Sequence, residues 1–190
     1  EDIMATRFKN GVVKYFKDNI GIIIALLAMF IFLTVFPTTR STFLTPKNMF
    51  NILRQNASNL FLATGMTMVI ILGGIDLSVG SVIALSGVVA AGCVVNFGLP
   101  EAVGFIAAIA VGAAVGLFNG FIICKTDIPP FIVTLASMNI TKGIALVLTG
   151  GAPIRCMTDA FKFPGAGYVG PVPTPVILMV VIFVIAALMI

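Results

Sequence analysis

The chain has 190 residues, 59% of them hydrophobic and 9% charged, with a formal net charge of +4. Soluble domains carry about 25% charged residues, so this composition excludes a soluble globular domain and points to an integral membrane protein. Histidine is absent, which removes His-based zinc sites, haem ligation by His and Ser-His triads, and no GxxxxGK[ST] occurs to cradle nucleotide phosphates. Any nucleotide chemistry must come from another subunit.

The first residues, EDIMATRFKNGVVKYFKDN, carry Arg7, Lys9, Lys14 and Lys17 ahead of an apolar run from Ile20 to Phe36. After that run comes FPTTRST rather than a small-x-small cleavage site, so the run is read as a retained signal-anchor helix. The density of basic residues before it places the N-terminus in the cytoplasm.

Next comes RSTFLTPKNMFNILRQNASN, in which Thr45 can cap a helix with Pro46 at its first position, and Met49, Ile52 and Leu53 share one face. A short amphipathic helix at the membrane surface is expected here. It is either a solvated connector or a surface for a soluble partner.

The second predicted span, Ala57 to Leu72, is about 24 Å long at 1.5 Å per residue, short of a full hydrocarbon core. Gly73 and Gly74 follow at once, so the helix is expected to break. Beyond the break, Asp76 or Ser78 can cap the next helix at the positive end of its dipole. The residues leave two readings open: an interfacial loop with a capping acid, or a polar hinge beside a permeation path.

Val79 to Phe97 and Ala102 to Cys124 form the third and fourth predicted spans. Gly80, Ala84, Gly87 and Ala91 recur along the third, and Gly104, Ala108, Gly112, Gly116 and Gly120 every four residues along the fourth. Lipid tails give apolar helices no hydrophobic reason to associate, so these stripes of small residues are read as close-packing faces. Asn119 serves either an interhelical hydrogen bond or the lining of a path.

A second discontinuity is expected near residues 127 to 130, where Asp127 precedes Pro129 and Pro130, which start a helix but do not continue one. In the fifth predicted span, Pro129 to Leu148, the residues Thr134, Ser137 and Thr141 fall on one face, with Asn139 and Lys142 nearby. They offer donors and acceptors to a hydroxyl-bearing solute, or bond back to their own helix carbonyls.

Residues 150 to 174, GGAPIRCMTDAFKFPGAGYVGPVPT, are too rich in Gly and Pro for a span and are read as an ordered external loop. The sixth predicted span begins at Pro175 and runs into Ile190 without a closing charge or turn signal, which predicts a chain cut short at its C-terminus. Cys93, Cys124 and Cys156 show no CxxC spacing and read as small apolar fillers. The expected fold is all-α: one transmembrane domain over residues 1 to 190 with about six spans, interrupted near 73 to 78 and 127 to 130.

FLTPKNMFNILRQNA, GMTMVIILGGIDLSVGSVIAL, GLFNGFIICKTDIPPFIVTLASMNITKG and TGGAPI, in this order, resemble the membrane permease of ribose-type sugar ABC importers, over most of residues 43 to 154. The resemblance implies a bacterial cytoplasmic-membrane subunit that pairs with a second copy or a paralogue, a cytoplasmic ATP-binding subunit and an extracytoplasmic sugar-binding protein. ATP and Mg would be used by the ATPase, with no cofactor in this chain and no nucleic-acid partner. Family members are longer, with further spans and a cytoplasmic loop toward the ATPase that has no counterpart here. Gly73, Gly74, Asp76, Ser78, Asn119, Pro129, Pro130, Thr134, Ser137, Asn139 and Thr141 are then the candidate hinge or path residues. Permeases for branched-chain amino acids, nucleosides or autoinducer-2 stay open as alternatives. So does a secondary transporter coupled to ions through Asp76 or Asp127. An intramembrane enzyme is disfavoured, since no nucleophile and base constellation is evident.

Overall fold

The computed structural model describes residues 17–155 and 158–189. Arg7, Lys9, Lys14 and Cys156 lie outside them. The described elements are α1 (Ile20–Val35), α2 (Pro46–Ile71), α3 (Val79–Val95), α4 (Glu101–Lys125), α5 (Pro130–Thr149), α6 (Asp159–Ala166), β1 (Tyr168–Val169), β2 (Val172–Pro173) and α7 (Thr174–Met189). The fold is all-α apart from one two-stranded antiparallel ribbon, and each of the six expected spans has a helix. Among the described residues, α4 and α5 are long and apolar enough to cross a membrane, at 25 and 20 residues, while α1, α3 and α7 are shorter apolar helices.

Two expectations are corrected. The amphipathic stretch after Thr45 and the second span are not separate helices: α2 runs unbroken for 26 residues. No proline interrupts it after Pro46, and the polar run NASN tolerates helical backbone, so nothing in the local chemistry stops the helix. The stretch from 150 to 174 is also more regular than a loop, since it holds α6 and the β1–β2 hairpin.

The chain divides into two compact units, up to Ile52 and from Leu53 onward. In the first, α1 ends in a run of turns where the Thr39 hydroxyl donates to Leu33 O at 2.6 Å. Phe30 meets Phe43 edge-on at 5.4 Å there. The expected cap at the start of α2 is present: Thr45 Oγ1 accepts the Asn48 N–H at 3.3 Å, with Pro46 at the first helical position.

In the second unit, α3 packs along both α4 and α5. Its buried face is mostly small, with Ser81, Ala90, Ala91 and Gly92 beside Leu85. At Gly104 of α4 a Cβ would stand 2.8 Å from Ala90 O, so the two backbones meet there at a distance only glycine allows. The rest of the expected ridges behaves differently. Gly112 comes only near Ser86, and Gly80, Gly87, Gly116 and Gly120 have no atom within 4 Å of a would-be Cβ. Ala84 is exposed and Ala108 half-buried. Close approach within this unit is therefore concentrated at one end of α4.

Beyond α5, Phe161 of α6 stacks on Phe105 of α4 at 5.3 Å. The hairpin pairs Tyr168 with Pro173 and Val169 with Val172. Gly170 turns it at φ 61°, followed by Pro171 with its negative φ, the sign pair of a type II′ turn.

Candidate functional site

Both expected discontinuities are present, and they meet. At the end of α2, Gly73 takes φ 78°, its N–H bonds Ile70 O at 2.9 Å, and the Gly74 N–H reaches back to Val69 O at 3.0 Å. That pair of bonds is a Schellman stop, which needs a left-handed residue where only glycine sits without strain. The would-be Cβ of Gly74 lies 3.6 Å from Pro130 Cβ, so the first break abuts the start of α5. Pro130 occupies the first turn of α5, where its missing N–H is no loss, and the exposed Pro129 precedes it as the cap residue.

Residues 74 to 78 leave the helix, and their backbone groups need partners. Thr134 lies against two of them. Its hydroxyl oxygen accepts the Leu77 N–H at 3.1 Å and lies 3.2 Å from Ile75 O and 3.3 Å from Phe131 O, one of which takes its proton. One side chain on α5 thus takes up the Leu77 N–H of the unwound segment and stands within reach of Ile75 O.

Asp76 does not cap the free N–H groups of α3 in the expected manner. Its Oδ1 accepts both the Ser78 N–H at 2.7 Å and the Ser78 hydroxyl at 2.6 Å, closing an Asx turn that aims the chain into the helix. Ser78 is the cap residue of α3, but its side chain makes no capping bond. The hydroxyl is engaged by the acid instead.

From Ser78 a chain of polar groups runs through the helix bundle. Asn119 Nδ2 of α4 donates to Ser78 Oγ at 3.3 Å, and Ser137 Oγ of α5 donates to Asn119 Oδ1. A parallel branch joins Thr141 Oγ1 to Ser81 Oγ at 2.7 Å, while Ser81 also bonds Ser78 O at 2.8 Å. Ser78, Asn119, Thr134, Ser137 and Thr141 are each at most 5% exposed. Buried polar groups this well paired hold three helices in a single arrangement.

The direction of the chain follows from donor counting. A carboxylate only accepts, so the single Ser78 proton goes to Asp76 and Ser78 Oγ must receive from Asn119. The amide then presents its oxygen to Ser137, which must donate. Every proton in the series points toward Asp76.

Asn139 is not part of this site. It is exposed, and its amide bonds Leu135 O of its own helix at 3.0 Å, because two residues past Ser137 is the opposite face of α5. Asp127 and Lys142 are also exposed. Ser81 was not singled out by sequence, although its position three residues after Ser78 was a legible signal. A cavity of about 240 Å³ reaches the seam, with Asp76, Ser78 and Asn119 in its wall beside Gly112 and Gly116. Among the described residues there is no cluster of three or more His, Cys, Asp or Glu suited to a metal ion.

Comparison with known proteins gives the assembly a family. The chain is 40% identical over 166 residues to the ribose import permease protein RbsC of Escherichia coli (strain K12), covering 85% of this chain and 51% of that protein. It is 41% identical over 161 residues to RbsC of Bacillus subtilis (strain 168), covering 84% and 50%. Against the xylose transport system permease protein XylH of Escherichia coli (strain K12), identity is 39% over 146 residues, or 77% and 37%. The chain thus spans about half the length of the ribose relatives it matches. No solved structure matches it. The family model described as the permease component of the branched-chain amino acid transport system matches residues 48–190, a stretch containing both helix breaks and the whole polar seam, and the chain belongs to that family of polytopic membrane permeases.

Proposed function

We propose that this chain is part of the transmembrane permease domain of an ATP-driven monosaccharide importer in a bacterial cytoplasmic membrane, with its N-terminus inside. The observation that carries this reading is the 40% identity to ribose import permeases, supported by 39% to a xylose permease. The protein is a transport subunit. A second permease copy or paralogue, a cytoplasmic ATPase using ATP and Mg, and an extracytoplasmic sugar-binding protein complete the transporter.

In this reading the seam works as a hinge lock rather than as a solute-binding surface. The hydroxyls of Thr134, Ser137 and Thr141 face other helices and have protein partners, so they are not free to coordinate sugar in this arrangement. Gly73 and Gly74 supply the swivel, and the bonds among Asp76, Ser78, Asn119 and Thr134 fix its resting angle. Alternating access needs a hinge whose resting arrangement is held by bonds that can be broken and remade.

The family description favours one second reading, a branched-chain amino acid permease. The test is uptake of labelled ribose by proteoliposomes holding the full-length permease, its ATPase and its binding protein. Ribose uptake that requires ATP, is competed by xylose and survives collapse of ion gradients is expected. Competition by leucine but not by pentoses would overturn the sugar assignment, and uptake that persists without ATP would overturn the importer class.

A further inference from the structure

The glycine ridge of α4 is used at one end and open at the other. At Gly104 it meets α3, where a Cβ would stand 2.8 Å from Ala90 O. Further along, Gly112 comes no closer than 3.9 Å to Ser86, and Gly116 and Gly120 have nothing within 4 Å. A groove of about 240 Å³ lies over this open end, with Gly112 and Gly116 in one wall, Val82 and Ile83 of α3 in the other and Leu62 of α2 beside them. Gly116 and Ile83 are both exposed.

Asp76 adds a polar group to the same groove. It is half-buried in the wall, its Oδ1 holds both bonds from Ser78, and among the described residues nothing bonds its Oδ2. Asn119, which bonds Ser78, lies six residues, about 9 Å, inside the end of α4 at Lys125. The acid therefore stands level with the apolar run Gly120 to Cys124 and not beyond the helix. A free carboxylate oxygen there is costly against acyl chains, and acids within spans pair with other protein groups. Exposed glycines in a span let another backbone approach closely, which is a main source of helix association in lipid. The stretch matched here makes up 51% and 50% of two ribose relatives, so such permeases hold about as much chain again to cover this face.

We infer that a transmembrane helix from the half of the permease that this chain does not span packs into the α3–α4 groove, its backbone crossing at Gly116 and one of its side chains donating to Asp76 Oδ2. A carboxylate only accepts, so the incoming group must be a donor. The seam would then continue beyond these 190 residues, with Asp76 as the junction between the two halves. This inference rests on the permease reading above, though not on the identity of the solute.

The test uses the full-length permease in membrane vesicles. Ile83→p-benzoylphenylalanine is expected, on irradiation, to cross-link within one polypeptide to a peptide outside the 190 residues, identified by mass spectrometry. A cross-link to a second copy, to lipid alone or only within the 190 residues would overturn the inference, as would no cross-link. Gly116→Leu, which fills the groove, is expected to weaken that cross-link several-fold and to lower the thermal midpoint, while Gly116→Ala, still small, stays near the parent. An undiminished cross-link in Gly116→Leu would overturn the crossing point. Asp76→Asn and a neutral replacement of the donor in the captured peptide are expected to lower the midpoint by less together than the sum of their separate shifts. Additive shifts, or a captured peptide with no donor side chain, would overturn the contact with Asp76. None of these readouts involves transport, so failure to take up ribose would count against the sugar assignment alone.

Discussion

Asn119 and Ser78 lie 41 residues apart in the chain, and the amide nitrogen of one donates to the hydroxyl of the other at 3.3 Å. That bond joins α4 to the mouth of α3 and fixes the orientation of the amide, because the Ser78 proton already belongs to Asp76. The seam is therefore polarised along its length, with Ser137 as its first donor and the acid as its last acceptor.

Replacing the last acceptor unpairs two donors at once. Asp76→Ala is expected to destabilise the full-length permease by about 1 to 3 kcal/mol and to abolish most uptake. Asp76→Asn keeps an acceptor oxygen and should lose less on both counts. Thermal unfolding in detergent and, on the proposed function, uptake of labelled ribose measure the two effects.

Thr134→Val preserves shape while removing the hydroxyl that accepts the Leu77 N–H and lies within reach of Ile75 O. A loss of roughly 1 to 3 kcal/mol is expected, with Thr134→Ser close to the parent. Equal midpoints for the Val and Ser variants would show that the hydroxyl does not hold the break.

The one-way order of the chain has its own signature. Asn119→Asp removes the only donor to Ser78 Oγ and adds a second carboxylate to the network, with an expected cost of roughly 2 to 4 kcal/mol. Adding Asp76→Asn reverses the order: Ser78 can then donate to the carboxylate now at position 119 and accept from the amide now at position 76. The double exchange should therefore recover part of the loss. A double-mutant cycle with coupling of about 0.5 to 3 kcal/mol is expected, and strict additivity would contradict the assigned direction.

Gly104→Ala would force a Cβ against Ala90 O and should cost about 1 to 3 kcal/mol in thermal stability. Gly116→Ala meets no atom within 4 Å in this unit and should leave helix packing inside it unchanged. Comparison of the two midpoints checks which part of the glycine ridge is a contact.

The apolar runs made the helices legible, and Gly73–Gly74 and Pro129–Pro130 marked both breaks because glycine and proline act on backbone geometry locally. The stripe of Thr134, Ser137 and Thr141 was readable as a face, but its partners were not: Leu77, Asn119 and Ser81 are brought to it only by tertiary packing. The unbroken α2 escaped notice because polarity suggested a boundary where no helix breaker stands. The small-residue stripes were ambiguous for another reason. A glycine permits close approach and empty space equally, and the neighbour decides which, as Gly104 and Gly87 show.

The unequal lengths of the paired helices α3 and α4 bear on the surrounding lipid. With 17 and 25 residues they measure about 25 and 37 Å, so neither matches a hydrocarbon core of about 30 Å. A helix longer than the core is accommodated by tilt, a kink or a locally thicker bilayer, and a shorter one by a thinner bilayer, snorkelling ends or association with its neighbours. Acyl-chain length in the host membrane thereby becomes a mechanical input to the pair, one that thicker membranes would turn against the shorter partner.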